Sequence, residues 1–254
     1  MGYYTKAGAS VMQKKSAKLT VVSIIVLFIL APITIFLSFK FLDGKSYYIP
    51  AVLIIIFSMI PFFVFFENRK IKTSEIVIVS LLTSLCVGAR AVLAFIPQVK
   101  PTCAIVIVSA IAFGPNVGFV VGSLSMFASN FIFGQGAFTP FQMLGMGLVG
   151  FICGVIFNCK KYNTNKILVA ITGGLICFVV YGFIVDSCSV LMMATEFNIK
   201  SVMSIYVSGM PFNLIHGAIT AILLYFINKP MTDKFTRLKI KYGMLKKLLM
   251  ILTC

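Results

Sequence analysis

The stretch that decides the fold runs from Arg90 to Phe157 and contains RAVLAFIPQVKPT (90–102), FGPNVGF (113–119) and SNFIFGQGAFTPFQMLGMG (129–147). It is strongly apolar, yet prolines, glycines and polar side chains interrupt it at intervals too short for ordinary long membrane helices. Polar residues inside membrane spans are costly, and they usually face the interior of a helix bundle or a cavity. The pattern is therefore typical of a membrane protein that takes up a small polar solute.

Composition places the whole chain in the membrane class. Of its 254 residues, 60% are hydrophobic and 11% are charged, and the mean hydropathy is +1.05, far from an average soluble domain. A bilayer crossing needs roughly 20 apolar residues. The candidate helices are Leu19–Phe39, Tyr47–Phe66, Ile76–Ile96, Thr102–Phe113, Gly118–Phe133, Thr139–Phe157, Ile167–Val185 and Ile205–Ile227. We predict an all-α integral membrane protein with about eight spans, of which Thr102–Phe113 is short enough to be re-entrant or tilted.

The formal charge of +16 is explained by topology rather than by nucleic acid. With the N-terminus inside, most basic residues fall on the cytoplasmic side, as the positive-inside rule expects for an even number of spans. These residues lie in Lys6–Lys18, Arg69–Lys72, Lys160–Lys166 and Lys229–Lys247. We predict that both termini are cytoplasmic, that the basic tail contacts anionic lipid, and that nucleic acid is not a partner.

Motifs for catalysis and metal binding are missing from the sequence. The seven cysteines form no C-x-x-C pair, and His216 is the only histidine, so neither a metal site nor a disulfide framework is supported. The G-x-S-x-G nucleophile motif and the G-x-x-x-x-G-K-[ST] phosphate loop are both absent. We predict that the chain is not an enzyme and uses no cofactor.

The positions of the six acidic residues indicate whether the chain could couple transport to an ion gradient. Ion-coupled carriers normally keep a carboxylate near the middle of the membrane. We expect Glu67, Glu75 and Asp233 at the cytoplasmic face, and Asp186 and Glu196 outside, where Asp186–Ser204 is predicted as a loop. The chain would then have no energy source of its own.

Three ordered segments resemble the substrate-binding S components of energy-coupling factor (ECF) vitamin transporters. They are GARAVLAFIPQVKPT (88–102), AFGPNVGFVVGSLSMFASNFIFGQGAFTPFQM (112–143) and GMPFNLIHG (209–217). The resemblance covers about residues 72 to 243 and is nearest to the cobalamin-type group. Relatives often carry tryptophan on either side of the TP step, whereas this chain has Phe138 and Phe141 and no tryptophan.

The resemblance implies a specific organisation. S components have six helices and a vitamin pocket that opens outward, so residues 72–234 would form the substrate-binding core. Residues 1–71 would be a cytoplasmic N-terminus with a two-helix membrane extension, and residues 235–254 a basic cytoplasmic tail. The implied partners are a transmembrane scaffold (T) subunit and two ATPases, which would supply the ATP hydrolysis that this chain lacks. We expect the protein in the cell membrane, as a multi-pass protein of a bacterial plasma membrane.

Candidate ligand contacts lie mainly near the loops predicted to face outside. Arg90 is unexpected just inside an outward helix end, although its side chain could instead reach a lipid headgroup. Phenylalanines near these loops could stack on a flat vitamin ring, while the amides could equally cap helix ends. Asn213 and His216 lie on the final predicted helix, and a histidine there is more typical of an interhelical hydrogen bond. The predicted site comprises Arg90, Phe95, Gln98, Lys100, Asn130, Gln135, Phe138, Phe141, Gln142, Asn213 and His216.

A stripe of small residues is the candidate partner surface. Ser80, Ser84 and Gly88 recur every four residues, which lets two membrane helices approach closely. In S components a similar motif docks the T subunit, but the same spacing also suits packing within the chain's own bundle. Further small-residue faces are assigned to internal packing, namely Gly118 with Gly122 and the set Gly145, Gly147, Gly150 and Gly154.

These observations predict a substrate-specific subunit of an ECF-type importer. It would bind a vitamin or related micronutrient from outside, with cobalamin as the first choice, and deliver it through the partner module. The alternatives are an autonomous secondary transporter or channel for a small solute and, ranked lower, a membrane-embedded enzyme or assembly factor.

Overall fold

The computed structural model describes residues 52–53, 55–57, 59–60, 73–96, 99–157, 165–193 and 198–241, with side chains as far as residue 238. The chain divides into two units, Met1–Arg69 and Lys70–Cys254. The predicted span Leu19–Phe39 lies outside the described residues. Of the predicted span Tyr47–Phe66, only the positions between 52 and 60 are described in part, and those are helical.

The described part of the second unit is helical and contains no strand. Its helices are α1 (Thr73–Val92), α2 (Thr102–Phe113), α3 (Pro115–Phe133), α4 (Thr139–Ile156), α5 (Lys166–Ile176), a π-helical turn (Cys177–Tyr181), α6 (Gly182–Met193) and α7 (Ile199–Lys241). Five segments are long and apolar enough to cross a membrane: α1, α3, α4, the continuous run Lys166–Met193, and Ile199–Leu238 of α7. The predicted all-α membrane fold is thereby confirmed, and the total number of spans stays a prediction.

Local sequence signals explain where these helices begin and end. The first turn of α1 carries Glu75 and its last turn carries Arg90, which complements the helix dipole at both ends. The side chain of Asn165 accepts hydrogen bonds from the Ile167 and Leu168 amides, at 3.0 and 3.3 Å, and so caps α5. Gly114 and Gly134, with φ of 96° and 100°, follow α2 and α3, because a side chain would disfavour that backbone conformation.

Helix α2 forms the centre of the core. Every residue of α2 except Ile111 is buried, and α1, α3, α4 and α7 all pack against it. A helix surrounded by protein needs no polar face, which explains why this 12-residue segment is apolar on every side. The loops before and after α2 therefore lie at opposite ends of the bundle.

Helices α3 and α4 form a tight hairpin in which glycine permits backbone contact. A Cβ atom on Gly122 would lie 2.5 Å from the carbonyl oxygen of Met146, and one on Gly154 would lie 2.5 Å from the Cα of Pro115. The Gly118 and Gly150 backbones meet in the same way. The prediction that these small-residue faces serve internal packing is confirmed.

The predicted outer loop Asp186–Ser204 is wrong for most of its length. The segment from Lys166 continues as helix to Met193, and α7 already begins at Ile199. Two serines in α6 satisfy their hydroxyls within the helix: Ser187 donates to the Phe183 carbonyl at 2.7 Å and Ser189 to the Val185 carbonyl at 3.2 Å. A polar stretch that predicts a loop can therefore continue a helix, and Asp186 lies in α6 and not in an outer loop.

Helix α7 also extends further than the sequence suggested. It continues through Pro211 and Pro230 to Lys241, so no secondary-structure boundary separates residue 234 from residue 235. Phe235 is buried, and its ring centroid lies 5.5 Å from that of Phe113 at the end of α2. This contact holds the last turns of α7 against the core.

Candidate functional site

A network of neutral polar side chains surrounds Arg90 at the end of the core that is predicted to face outside. Arg90 Nη1 donates to Asn130 Oδ1 at 3.0 Å and to Ser129 Oγ, and it lies 3.9 Å from Met126 Sδ. Its guanidinium carbon lies 4.6 Å from the ring centroid of Phe133, a cation–π arrangement. The arginine is thus fixed between α1 and α3, and it does not extend freely towards lipid.

Asn130 connects this network to the start of α4. Its side chain is 1% exposed, and its Nδ2 atom donates to Gln142 Oε1 at 2.9 Å and Thr139 Oγ1 at 3.1 Å. Thr139 Oγ1 in turn donates to Gln135 Oε1 at 3.0 Å, and Gln135 Nε2 donates to the Phe127 carbonyl at 2.9 Å. The amides therefore fold the 134–138 loop onto the bundle.

A cleft of about 250 Å³ opens beside this network. One wall comes from the start of α4 and the residue before it, with Phe138, Phe141 and Gln142. The other wall comes from the end of α6 and consists of Val185, Cys188, Ser189, Met192 and Met193. The cleft is mostly apolar with a few polar groups, as small-molecule sites usually are.

Lys100 lies in the loop between α1 and α2 and is half-buried. Burial lowers its pKa from the ordinary value of 10.5, and the positive charge of Arg90 lowers it further, against a smaller opposing effect of Cys177. No hydrogen bond or ion pair of Lys100 occurs among the described residues. The predicted contact Phe95 is 78% exposed and is not brought to the cleft, and Gln98 lies outside the described residues.

The last two predicted contacts belong to a separate cluster between α6 and α7. Asn213 Nδ2 donates to Asp186 Oδ2 at 2.7 Å, and Asp186 is 8% exposed. The His216 ring packs edge-on against Tyr181, with centroids 5.3 Å apart, and its Nε2 has no partner among the described atoms. These residues join helices and do not line the cleft.

Sequence reasoning missed the whole α6 wall of the cleft. Because Asp186–Ser204 is predicted as a loop, the sequence does not place Cys188, Ser189 and Met192 on one helix with Val185, the last residue of the preceding predicted span. Thr139 was also missed, although the TP step was recognised. A threonine at a helix start is a usable signal for side-chain bonding to the preceding loop, and Thr139 Oγ1 accepts from the Gly136 amide at 3.2 Å.

The small-residue stripe of α1 lies on the surface of the structure. Ser80, Ser84 and Gly88 are all exposed, and no atom lies within 4 Å of a Cβ built on Gly88. The neighbouring side chains Leu81 and Leu85 are also exposed, at 59% and 46%. The described part of the bundle therefore does not use this stripe for its own packing.

Comparison with known proteins identifies the family of this chain. A family model described as "ECF-type riboflavin transporter, S component" matches residues 70–233, which is more than half of the chain and includes every helix of the core except the end of α7. Neither the curated proteins nor the solved structures contain a match.

Proposed function

This chain belongs to the S-component family of ECF-type riboflavin transporters, and from that premise we propose that it captures a flavin-like vitamin in the cleft between α4 and α6. Family membership makes it a multi-pass membrane protein and the substrate-specific subunit of an ECF-type vitamin transporter. It also implies association with an ECF module of a T subunit and ATPases. The ligand, the direction of transport and the bacterial plasma membrane as its location are parts of the proposal.

The cleft carries the proposal for the ligand. Phe138 and Phe141 supply aromatic surface for a flat ring, and Gln142 supplies an amide for polar edge atoms. A volume of about 250 Å³ is near the lower end for small-molecule sites, which usually start at about 300 Å³. The small volume favours a tricyclic flavin over the much larger corrinoid of cobalamin. The family description, which names riboflavin, also favours a flavin.

The exposed stripe on α1 supports the proposal for the partner. Three small residues without a cover in the described bundle offer a surface on which a membrane helix of the T subunit could pack closely. Delivery would then follow from reorientation of the loaded subunit against the scaffold, with ATP hydrolysed by the partner module.

The test is calorimetric titration of the detergent-purified protein with riboflavin, cobalamin and a panel of other vitamins. We expect tight one-to-one binding of riboflavin. Phe138→Ala should weaken binding by about 5- to 150-fold, because base–aromatic stacking is worth roughly 1–3 kcal/mol. The matched control is Phe131→Ala, a phenylalanine on α3 that is 70% exposed and should have no effect.

Other outcomes are equally informative. Tight binding of cobalamin and not riboflavin would restore the cobalamin expectation and reject the flavin. Absence of binding across the whole panel would contradict the proposed function.

A buried carboxylate favours testing the alternative function, an autonomous secondary transporter. That alternative was disfavoured because no carboxylate was expected within the spans, yet Asp186 is buried inside the run Lys166–Met193. Riboflavin uptake into liposomes that contain this chain alone, driven by an imposed proton gradient and lost in Asp186→Asn, would favour the carrier. We expect no such uptake without the partner module.

A further inference from the structure

Two positively charged side chains at the predicted outer end of the core have no carboxylate partner in the described part of the chain. The hydrogen bonds of Arg90 all involve one nitrogen, Nη1, and all its acceptors are neutral. Its other N–H groups, and the ammonium of Lys100, make no hydrogen bond or ion pair to any described residue. Both side chains are half-buried, so solvent compensates these charges only in part.

The acidic residues of the described chain cannot compensate them. Glu75 lies at the opposite end of α1 from Arg90. Asp186 is bonded to Asn213 between α6 and α7, and Asp233 lies near the far end of α7. The three remaining acids, Asp43, Glu67 and Glu196, lie outside the described residues.

Arg90 is connected to the cleft by a short chain of hydrogen bonds. Arg90 binds the Oδ1 atom of Asn130, and the Nδ2 atom of the same amide binds Gln142, which lines the cleft. The start of α2 packs against the last turns of α1, where Thr102 Oγ1 donates to a backbone carbonyl of α1 at 3.4 Å. Lys100, just before this contact, therefore lies at the same end of the bundle as Arg90, whose positive charge contributes to its lowered pKa. A negative group placed between them would relieve this repulsion and the cost of burial together.

We propose that Arg90 and Lys100 form an anion subsite beside the cleft, so that the preferred ligand carries a phosphate or carboxylate group next to its flat ring. The free edge of the guanidinium suits the paired oxygens of such a group, and the ammonium adds a point charge. The inference rests on the proposed function, because the anion is taken to be part of the ligand in the cleft. The same chemistry could be provided by the phosphate of a lipid headgroup.

The experiment compares two probes that share one ring system, riboflavin and flavin mononucleotide, which differ by a phosphate. The full-length protein is purified in a neutral detergent, and both affinities are measured by titration. We expect the mononucleotide to bind at least about tenfold more tightly, as one or two charge-assisted hydrogen bonds allow, and the ratio of affinities to fall with added salt. Equal affinities, or a preference for riboflavin, would overturn the subsite.

Variants assign the preference to the residues named. Lys100→Met should reduce the ratio of affinities towards one, whereas Lys200→Met, which removes an exposed lysine from the start of α7, should leave it unchanged. A ratio that persists in Lys100→Met contradicts the assignment. If the wild type shows no preference but Glu196→Gln creates one, Glu196 is the internal counter-ion and the proposal is wrong.

The remaining outcomes separate this inference from the proposed function. If neither flavin binds, the flavin function fails, and the subsite is judged by thermal unfolding in inorganic phosphate. Stabilisation of the wild type that is lost in Lys100→Met then supports the subsite, and no stabilisation overturns it. If added phosphatidylglycerol abolishes the preference for the mononucleotide in wild type, a lipid headgroup competes for the same anion subsite.

Discussion

Asn130 is the residue on which the polar network depends. It is buried on α3, and its amide joins Arg90 to Thr139 and Gln142. An amide can serve one donor and two acceptors at once, which an aspartate or a leucine of similar volume could not do. The same residue therefore stabilises the bundle and orients the wall of the cleft.

Asn130→Ala tests this dual role. The substitution leaves buried polar partners unsatisfied, which costs about 1–3 kcal/mol, and each kcal/mol corresponds to about 2–4 °C in Tm for a chain of this size. We expect a lower Tm in thermal unfolding and weaker ligand binding. The control is Asn116→Ala at the opposite end of α3, where the side chain is half-exposed. An equal loss of Tm in both variants would contradict the special role of Asn130.

Lys100 gives the structure a pH dependence of known sign. Its pKa is lowered in the folded protein by burial and by Arg90, so the folded state binds fewer protons than the unfolded state between that lowered pKa and 10.5. The charged ammonium of Lys100 destabilises the folded state by its full amount below this pH window. This destabilisation disappears as the pH rises through the window and the amine loses its proton. Stability should therefore rise with pH across the window.

Lys100→Met should raise the Tm of the ligand-free protein at pH 7. This gain should shrink as the pH approaches 10.5, where the wild-type amine is neutral. Thermal unfolding of both proteins at a series of pH values measures the difference. A gain independent of pH would mean that methionine acts through packing alone.

At the scale of helices, glycines set the short distance between the backbones of α3 and α4. Gly122→Ala would place a methyl group 2.5 Å from the backbone oxygen of Met146, and backbone cannot move aside as a side chain can. We expect a destabilisation of about 1–3 kcal/mol, as for other overpacked cores, seen as a lower Tm. The same change at Gly88, where a Cβ meets no atom within 4 Å, should leave the Tm unchanged or raised, since alanine favours helix.

The stripe on α1 allows binding to be separated from assembly. A large side chain in Ser80→Leu should hold a partner helix away from the exposed stripe, while Ser80 lies about 15 Å from Arg90 along the axis of α1. We expect ligand affinity within about twofold of wild type, since distant sites are usually independent, but at least about tenfold less T subunit in co-purification with the complete ECF module. Undiminished assembly would show that the partner uses another face.

At the scale of the whole molecule, the second unit contains the network, the cleft and the family match. This unit begins at Lys70, and the family model begins at the same residue. We therefore expect a chain that starts at residue 70 to insert in the membrane and to bind the ligand within about threefold of the full-length affinity, because independent domains retain their own cores. Loss of binding, with the Tm preserved, would assign residues 1–69 a part in the site.

The sequence by itself determined the membrane class and the approximate positions of the core helices, and it singled out Arg90, Asn130, Gln135 and Gln142 as polar residues of an apolar region. These follow from apolar length, from the positions of prolines and glycines, and from polar groups that lipid would not tolerate, all of which are local properties. Only the tertiary structure showed that Arg90 bonds Asn130, that α6 provides the second wall of the cleft, and that Asn213 and His216 belong to another cluster. Such contacts join residues far apart in the chain. The polar stretch 186–189 predicts a loop from local sequence, and only the structure shows it as part of a helix that packs against α7, where Asn213 donates to Asp186.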